Sequence, residues 1–215
     1  MNIEELNTRY TLLSPTERIR LLYADFSDIL LTSSFGTTAA YLLHLFSLER
    51  PQQPVYFLDT TYHFPETLAY RDELSQLLGM KVISLQGDSW RSKFTAADKT
   101  WEKDPDLCCS INKVEPLEKI KPGFQIWVSG LMQGQSEHRR TLPIFEVRQD
   151  ILKFYPILDQ SPEKALEYIR LNKIPFHPLK EKGYASVGCT HCTVQGNARE
   201  GRWINKSKTE CGLHL

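Results

Sequence analysis

The sequence predicts a doubly wound α/β fold: a mostly parallel sheet followed by a loop-rich C-terminal appendage. Three observations carry this expectation. Apolar runs of strand length alternate with stretches of helix length from about residue 28 to 130. Gly, Pro, Ser and Thr punctuate the boundaries between them. Regular patterning then fades after Pro175. A β-α-β-α-β alternation brings successive strands into one parallel sheet through right-handed crossovers.

The elements follow in chain order. The first 25 residues read as helical, and "SPTERIRLLYADF" opens with Ser14 as N-cap, Pro15 at the first helical position and Glu17 three residues after the cap. That is a capping-box pattern. "DILLTSS" is a buried strand running into "FGTTAAYLLHLFSLE", which is helix-like. "PVYFLDT" is a second strand, and "PETLAYRDELSQLLG" is an amphipathic helix closed by Gly79. "KVISL" is a third strand. Residues 90 to 122 read as helical and charged. "FQIWVSG" is another strand, "IFEVRQDILKFYPIL" a pair of short ones, and "SPEKALEYIRLNK" a helix capped by Ser161 and Pro162. Residues 1–175 are therefore expected to form the sheet domain and 176–215 the appendage.

Composition narrows the function classes. Hydrophobic residues make up 41% of the chain and charged residues 24%, enough to build a substantial core. The 26 basic and 26 acidic residues cancel, so no global charge recruits nucleic acid or a membrane surface. No apolar run approaches the roughly 20 residues of a membrane span. The opening "MNIEELNTRY" has acids and no apolar core of a secretory signal, so a cytoplasmic protein is expected.

The five cysteines fall as Cys108–Cys109, Cys189 and Cys192 in "CTHC", and a solitary Cys211 near the end. In a reducing compartment this pattern indicates a metal site plus one reactive thiol rather than structural disulfides. Two intervening residues let both sulfurs of a CxxC turn to one centre. An adjacent pair on a helix diverges by about 100° and reaches one small ion poorly. A four-iron cluster, with separate vertices, tolerates that divergence. Zinc, or buried thiols with no shared ligand, are the other readings.

Three further features carry chemistry. In "LLTSSFGTTAA" a strand enters a Ser/Gly/Thr turn and then a helix, so hydroxyls and N–H groups converge at a sheet edge suited to an anion; a plain turn and cap is the alternative. No GxxxxGK[ST] motif is present. Arg139, Arg140, Arg199 and Arg202 offer guanidinium forks for phosphate or sulfate oxygens, or else solvated charge. Lys113, about one turn past Cys109, could face an anionic centre or water. Cys211 lies near the chain end, where a mobile tail can fold over a cleft for one step and swing out for the next.

These stretches together resemble the assimilatory adenylyl-sulfate/phosphoadenylyl-sulfate reductase family, in its cluster-bearing type. The matching residues are "SSFGTTAA", "VYFLDTTYHFPETLAYRDEL", "CCSINKVEPL", "WVSGLMQGQSEHR", "HPLKEKGYASVGCTHCT", "REGRW" and "ECGLH". The resemblance implies an adenine-nucleotide alpha-hydrolase-like, PP-loop type sheet. It implies a nucleotide at Ser33, Ser34, Phe35 and Gly36, with adenine near Leu58 and Asp59. Arg139, Arg199, Arg202, Lys113 and His214 match residues around the phosphosulfate and cluster. Cys108, Cys109, Cys189 and Cys192 match ligands of a 4Fe-4S cluster. Cys211 matches the nucleophile that attacks the activated sulfur of adenosine 5′-phosphosulfate, giving AMP and an enzyme S-sulfocysteine. Thioredoxin or glutaredoxin then releases sulfite, within sulfate assimilation. Met132 and Gln133 depart from the family pattern, in which two arginines are common. The same reaction on 3′-phosphoadenosine 5′-phosphosulfate, a PP-loop ATP pyrophosphatase and a non-enzymatic metal-thiolate module are the alternatives. Neither nucleic acid nor membrane is implied as a partner, and a homo-oligomer is left open.

Overall fold

The structure is a computed structural model and describes residues 2–148, 150–204, 206, 208 and 210–213. Two helices, α1 (Ile3–Thr11) and α2 (Pro15–Asp25), lead into strand β1 (Ile29–Thr32). Helix α3 (Ala39–Glu49) connects it to β2 (Val55–Leu58), and α4 (Pro65–Leu77) connects β2 to β3 (Val82–Leu85). The capping box at Ser14 forms as the sequence predicts, with the Ser14 N–H donating to Glu17 Oε2 at 2.8 Å. Gly79 closes α4 at φ +62°, a conformation that costs a residue with a Cβ.

The charged stretch after β3 is helical: α5 (Ser89–Ala97), α6 (Thr100–Lys103), α7 (Pro105–Cys109) and α8 (Glu115–Ile120). Between α7 and α8 the chain widens into one π-helical turn, Ser110–Val114. Such turns offset the side chains that follow and concentrate at functional sites. The chain then forms β4 (Ile126–Val128), a short α9 (Glu137–Arg140), the hairpin β5 (Phe145–Arg148) and β6 (Ile151–Phe154), and α10 (Pro162–Leu171). The last helix is α11 (Pro178–Glu181).

The six strands pair in the order β3-β2-β1-β4-β6-β5, all parallel except β5, which runs antiparallel to β6 at the edge. Alternation along the central strands shows why both faces are covered. Ile29 and Leu31 of β1, with Ile126 and Val128 of β4, enter the large core formed with α1, α2, α3 and α10. The residues between them, Leu30 and Trp127, enter the smaller core beneath α8. Side chains of period two feeding two apolar layers are what a doubly wound sheet requires. The connections of β1 diverge toward β2 on one side and β4 on the other. This opens a crevice at the strands' C-terminal ends, where such sheets bind ligands.

Residues beyond Pro175 fold back over that crevice. Thr37 Oγ1 donates to Ala185 O at 2.7 Å, His63 bridges to Cys189, and the ring of His177 meets Thr67 Oγ1 at 3.1 Å. No helix among the described residues is long and apolar enough to cross a membrane.

Candidate active site

The crevice is a cavity of about 580 Å³, within the range of small-molecule sites. Its floor is the turn after β1. Ser33 Oγ accepts from the Phe35 N–H at 3.1 Å, and Gly36 follows. Helix α3 begins at Ala39 with no side-chain cap, because Thr37 turns to Ala185 and Thr38 makes no capping bond. The N–H groups of Ala39 and Tyr41 donate instead to Gly36 O at 3.0 Å and Thr38 O at 3.2 Å, while Ser33 and Ser34 of the turn line the cavity. Thr38 and Ala39 also line the cavity, which makes the turn more than a plain cap.

Most of the residues assigned to substrate line this cavity: Ser33, Ser34, Gly36, Leu58, Arg139, Arg199 and Arg202, together with Lys113 and Cys211. Two do not. Phe35, in the left-handed region at φ +49°, turns its ring into the core against Phe57 at 5.7 Å. Only its backbone borders the turn. Asp59 accepts from Gln86 Nε2 and the Thr61 N–H beyond the rim. His214 lies outside the described residues. Met132 is fully buried in the large core and Gln133 donates to Leu142 O, so neither takes the place of an arginine in the cavity.

The basic side chains divide into two groups. Arg139 makes a bidentate pair with Glu210, at 2.9 and 2.8 Å. Arg199 Nη2 adds 3.0 Å and Ser136 Oγ 2.7 Å to the same carboxylate, which is fully buried. Burial alone pushes the Glu210 carboxyl upward, but the bond and charge of Arg139 and the charge of Arg199 reverse this and hold it below the usual carboxylate range. Arg202, by contrast, donates to Ser186 Oγ and Val187 O, both at 3.4 Å, and lies over the Trp203 ring at 4.4 Å. Among the described residues, its buried Nε has no partner. Gly188 lets it through: a Cβ there would stand 2.3 Å from Arg202 Nη2.

Cys211 sits between these groups. Cys109 shares a side-chain bond with it, and Lys113 and Arg202 add positive charge. Burial opposes ionisation, yet these partners hold the Cys211 thiol well below its ordinary range, while the bond to Cys211 and burial push Cys109 up. Lys113 loses hydration by burial, but the surrounding sulfurs of Cys189, Cys211 and Cys109 keep its ammonium charged. On the far side of Cys211, the Lys153 ammonium donates to Leu213 O at 3.0 Å.

The other four cysteines line a second, smaller cavity with Thr60, Tyr62, Trp101 and His191. All five cysteines are free thiols. Tyr62, Cys108 and Cys189 pack as one buried cluster, with Trp101 and Cys192 against it. Thr60 Oγ1 meets Cys189 Sγ at 3.3 Å, and Trp101 stacks on His191 at 3.8 Å. Burial, then the charges of Cys189 and Cys192, push the Cys108 thiol up to about 11. Among the described residues, no three His, Cys, Asp or Glu side chains are grouped to hold a single metal ion. The donor chemistry, four thiols lining one cavity with aromatic walls and a lysine alongside, fits a multi-iron cluster, which binds each thiolate at a different iron.

Sequence reasoning missed Glu210, Ser136 and Lys153. For Lys153 a signal existed, since a lysine inside the strand "ILKF" is rarely buried without a partner. Glu210 and Ser136 lie inside the matching stretches "ECGLH" and "WVSGLMQGQSEHR", but their pairing had no signal, because they are distant in the chain.

Residues 28–195 match the profile of the family described as phosphoadenosine phosphosulfate reductase domain. An adenosine 5′-phosphosulfate reductase of Halalkalibacterium halodurans is 35% identical over 100% of this chain and 97% of its own length. One from Streptomyces coelicolor is 40% identical over 81% of this chain and 78% of its own. Among solved structures, a phosphoadenylyl-sulfate reductase from Candida auris in a phosphate complex superposes with a TM-score of 0.75 at 27% identity, covering 89% of this chain and 96% of that one. The FMN adenylyltransferase of Candida glabrata, bound to FAD and pyrophosphate, reaches 0.64 at 13% identity over 90% of this chain and 67% of that one, a likeness of fold alone.

Proposed function

The chain belongs to the phosphoadenosine phosphosulfate reductase family, and from that premise we propose that it reduces adenosine 5′-phosphosulfate to sulfite and AMP, with Cys211 as the nucleophile. The observation that carries this reading is the meeting of Cys211, Lys113 and Arg202 in one cavity with the turn after β1. A thiol is brought to a site built for an anion.

The Cys211 thiolate attacks the sulfur of the phosphosulfate. The S–O bond to AMP breaks, AMP leaves with the bonding pair, and an S-sulfocysteine remains. Thiolate and substrate are both anionic, so their approach needs cations in place beforehand. Lys113 and Arg202 supply these. The Ser33–Gly36 turn at the foot of α3 holds the nucleotide phosphate. A dithiol protein of the thioredoxin class then supplies two electrons: its thiolate attacks the Cys211 sulfur, sulfite leaves, and the second thiol of the donor resolves the mixed disulfide. Cys108, Cys109, Cys189 and Cys192 would hold a 4Fe-4S cluster. When bound, this group supplies negative charge that fixes the Lys113 ammonium.

The unmodified nucleotide is favoured because the relatives at 35–40% identity carry that substrate in their names. The test is sulfite release from adenosine 5′-phosphosulfate and from its 3′-phosphorylated form, with and without reduced thioredoxin. The first is expected to react faster. In the absence of reductant, the terminal peptide should carry one added SO3 by mass spectrometry. Cys211→Ser is expected to lose sulfite formation by on the order of 10⁴-fold or more while still binding AMP. Turnover retained in that variant overturns the assignment. Iron and acid-labile sulfide analysis of the purified protein, alongside Cys189→Ser, tests the cluster.

A further inference from the structure

The sequence reading leaves the glutamate of "ECGLH" without a role, while the geometry makes it a heavily bonded carboxylate behind the cavity residues Arg139 and Arg199. Its two oxygens receive Ser136 Oγ, two guanidinium nitrogens of Arg139 and one of Arg199. Its side chain is fully buried. Arg139 is itself braced by Gln135 Oε1. Three residues along, the Lys153 ammonium, 1% exposed and seated over the Trp127 ring at 4.5 Å, grips Leu213 O. Between these grips lie only Cys211 and Gly212, and Gly212 rests against Val114 and Cys109.

We propose that Glu210 is a positioning residue: its carboxylate docks the tail on Arg139, Arg199 and Ser136, and so sets Cys211 between Lys113 and Arg202. Two of the three arginines assigned to substrate are thereby committed to the tail. Lys113 and Arg202 are left to face the reacting group. A buried charge pair holds only in a defined geometry, because each ion must meet its partner to offset lost hydration. It is therefore suited to fixing a short segment in one place. The inference rests on the proposed nucleophilic role of Cys211, but docking of the tail can be read without any turnover.

The experiment compares Glu210→Gln and Glu210→Asp with the wild-type full chain, by two readouts. The first is the rate at which iodoacetamide labels the C-terminal peptide of the substrate-free protein, followed by mass spectrometry. Glu210→Gln is expected to raise that rate roughly tenfold by populating undocked tails. The second is steady-state sulfite formation, where Glu210→Gln is expected to lower kcat about a hundredfold, the order of effect that misplacing a reacting group produces. AMP affinity is expected to stay within about twofold, because the turn after β1 is untouched. Glu210→Asp should recover part of both effects, since it keeps the charge. A side chain needed only for shape gives the reverse order, because Gln is the closer match in size, and that order overturns the proposal. An unchanged labelling rate in Glu210→Gln overturns it as well. Faster labelling of Glu210→Gln together with full sulfite turnover in Cys211→Ser sinks the nucleophile assignment while leaving the docking role standing.

Discussion

The two sides of Cys211 are built on different principles. On one side, Glu210, Arg139, Arg199 and Ser136 bond to one another and leave the carboxylate sealed from water. On the other, Lys113 and Arg202 face sulfur and open cavity, and among the described residues neither meets a carboxylate. The first arrangement spends its positive charge on a buried carboxylate and holds structure. The second keeps its positive charge toward the cavity and so can act on something else. The same residue type therefore serves two ends within a few residues, Arg199 for docking and Arg202 for chemistry.

Substitutions that separate rate from stability put this contrast to the test. The largest effect is expected from Lys113→Met or Arg202→Met. Either should lower kcat/KM for adenosine 5′-phosphosulfate by about 10²–10³-fold, the scale of one lost transition-state partner, with little change in Tm. A large fall in Tm without loss of rate would reverse the contrast. Arg139→Met should behave differently. It strands the Glu210 carboxylate and is expected to cost about 3 kcal/mol of stability, read as a lower urea midpoint.

Acid offers a third comparison, remote from both sides. His177 is fully buried, and its Nδ1 accepts from the Leu179 N–H at 3.2 Å. Burial lowers its pKa from 6.5 to about 4. Between those values the unfolded chain binds the extra proton, so stability must fall as pH drops from 6.5 toward 4, by up to about 3 kcal/mol. The lowered Glu210 carboxyl acts in the same direction: its contribution is present above the unfolded carboxylate pKa and disappears as pH falls through the folded one. Urea midpoints measured across this range for the wild type and His177→Gln should show a shallower acid slope in the variant. The smallest effect is Gly188→Ala. The new Cβ displaces the Arg202 guanidinium and should lower kcat/KM about tenfold, with AMP binding unchanged.

Much of this architecture was legible in the chain. Each predicted strand is present, because alternation and apolar runs report burial residue by residue along β1, β2 and β4. The Ser14 cap and the Gly79 stop were legible because each satisfies a local backbone need. Cys108, Cys109, Cys189 and Cys192 line one small cavity although 79 residues separate the two pairs, which spacing along the chain does not by itself encode. The π-helical turn at Ser110–Val114, which redirects Lys113, had no local signature. The inward turn of Phe35 was likewise hidden, because a residue in the left-handed region reverses the direction that its neighbours suggest.

Sequence alone determined the sheet, the turn after β1 and the set of reactive groups, since all of these follow from local propensity, periodicity and residue chemistry. Only the tertiary structure decided how the cations are shared. Arg139 and Glu210 are 71 residues apart and meet because α9 and the folded-back tail converge. Charge pairing depends on distance in space, and no pattern along a chain encodes which of several arginines a buried carboxylate will reach.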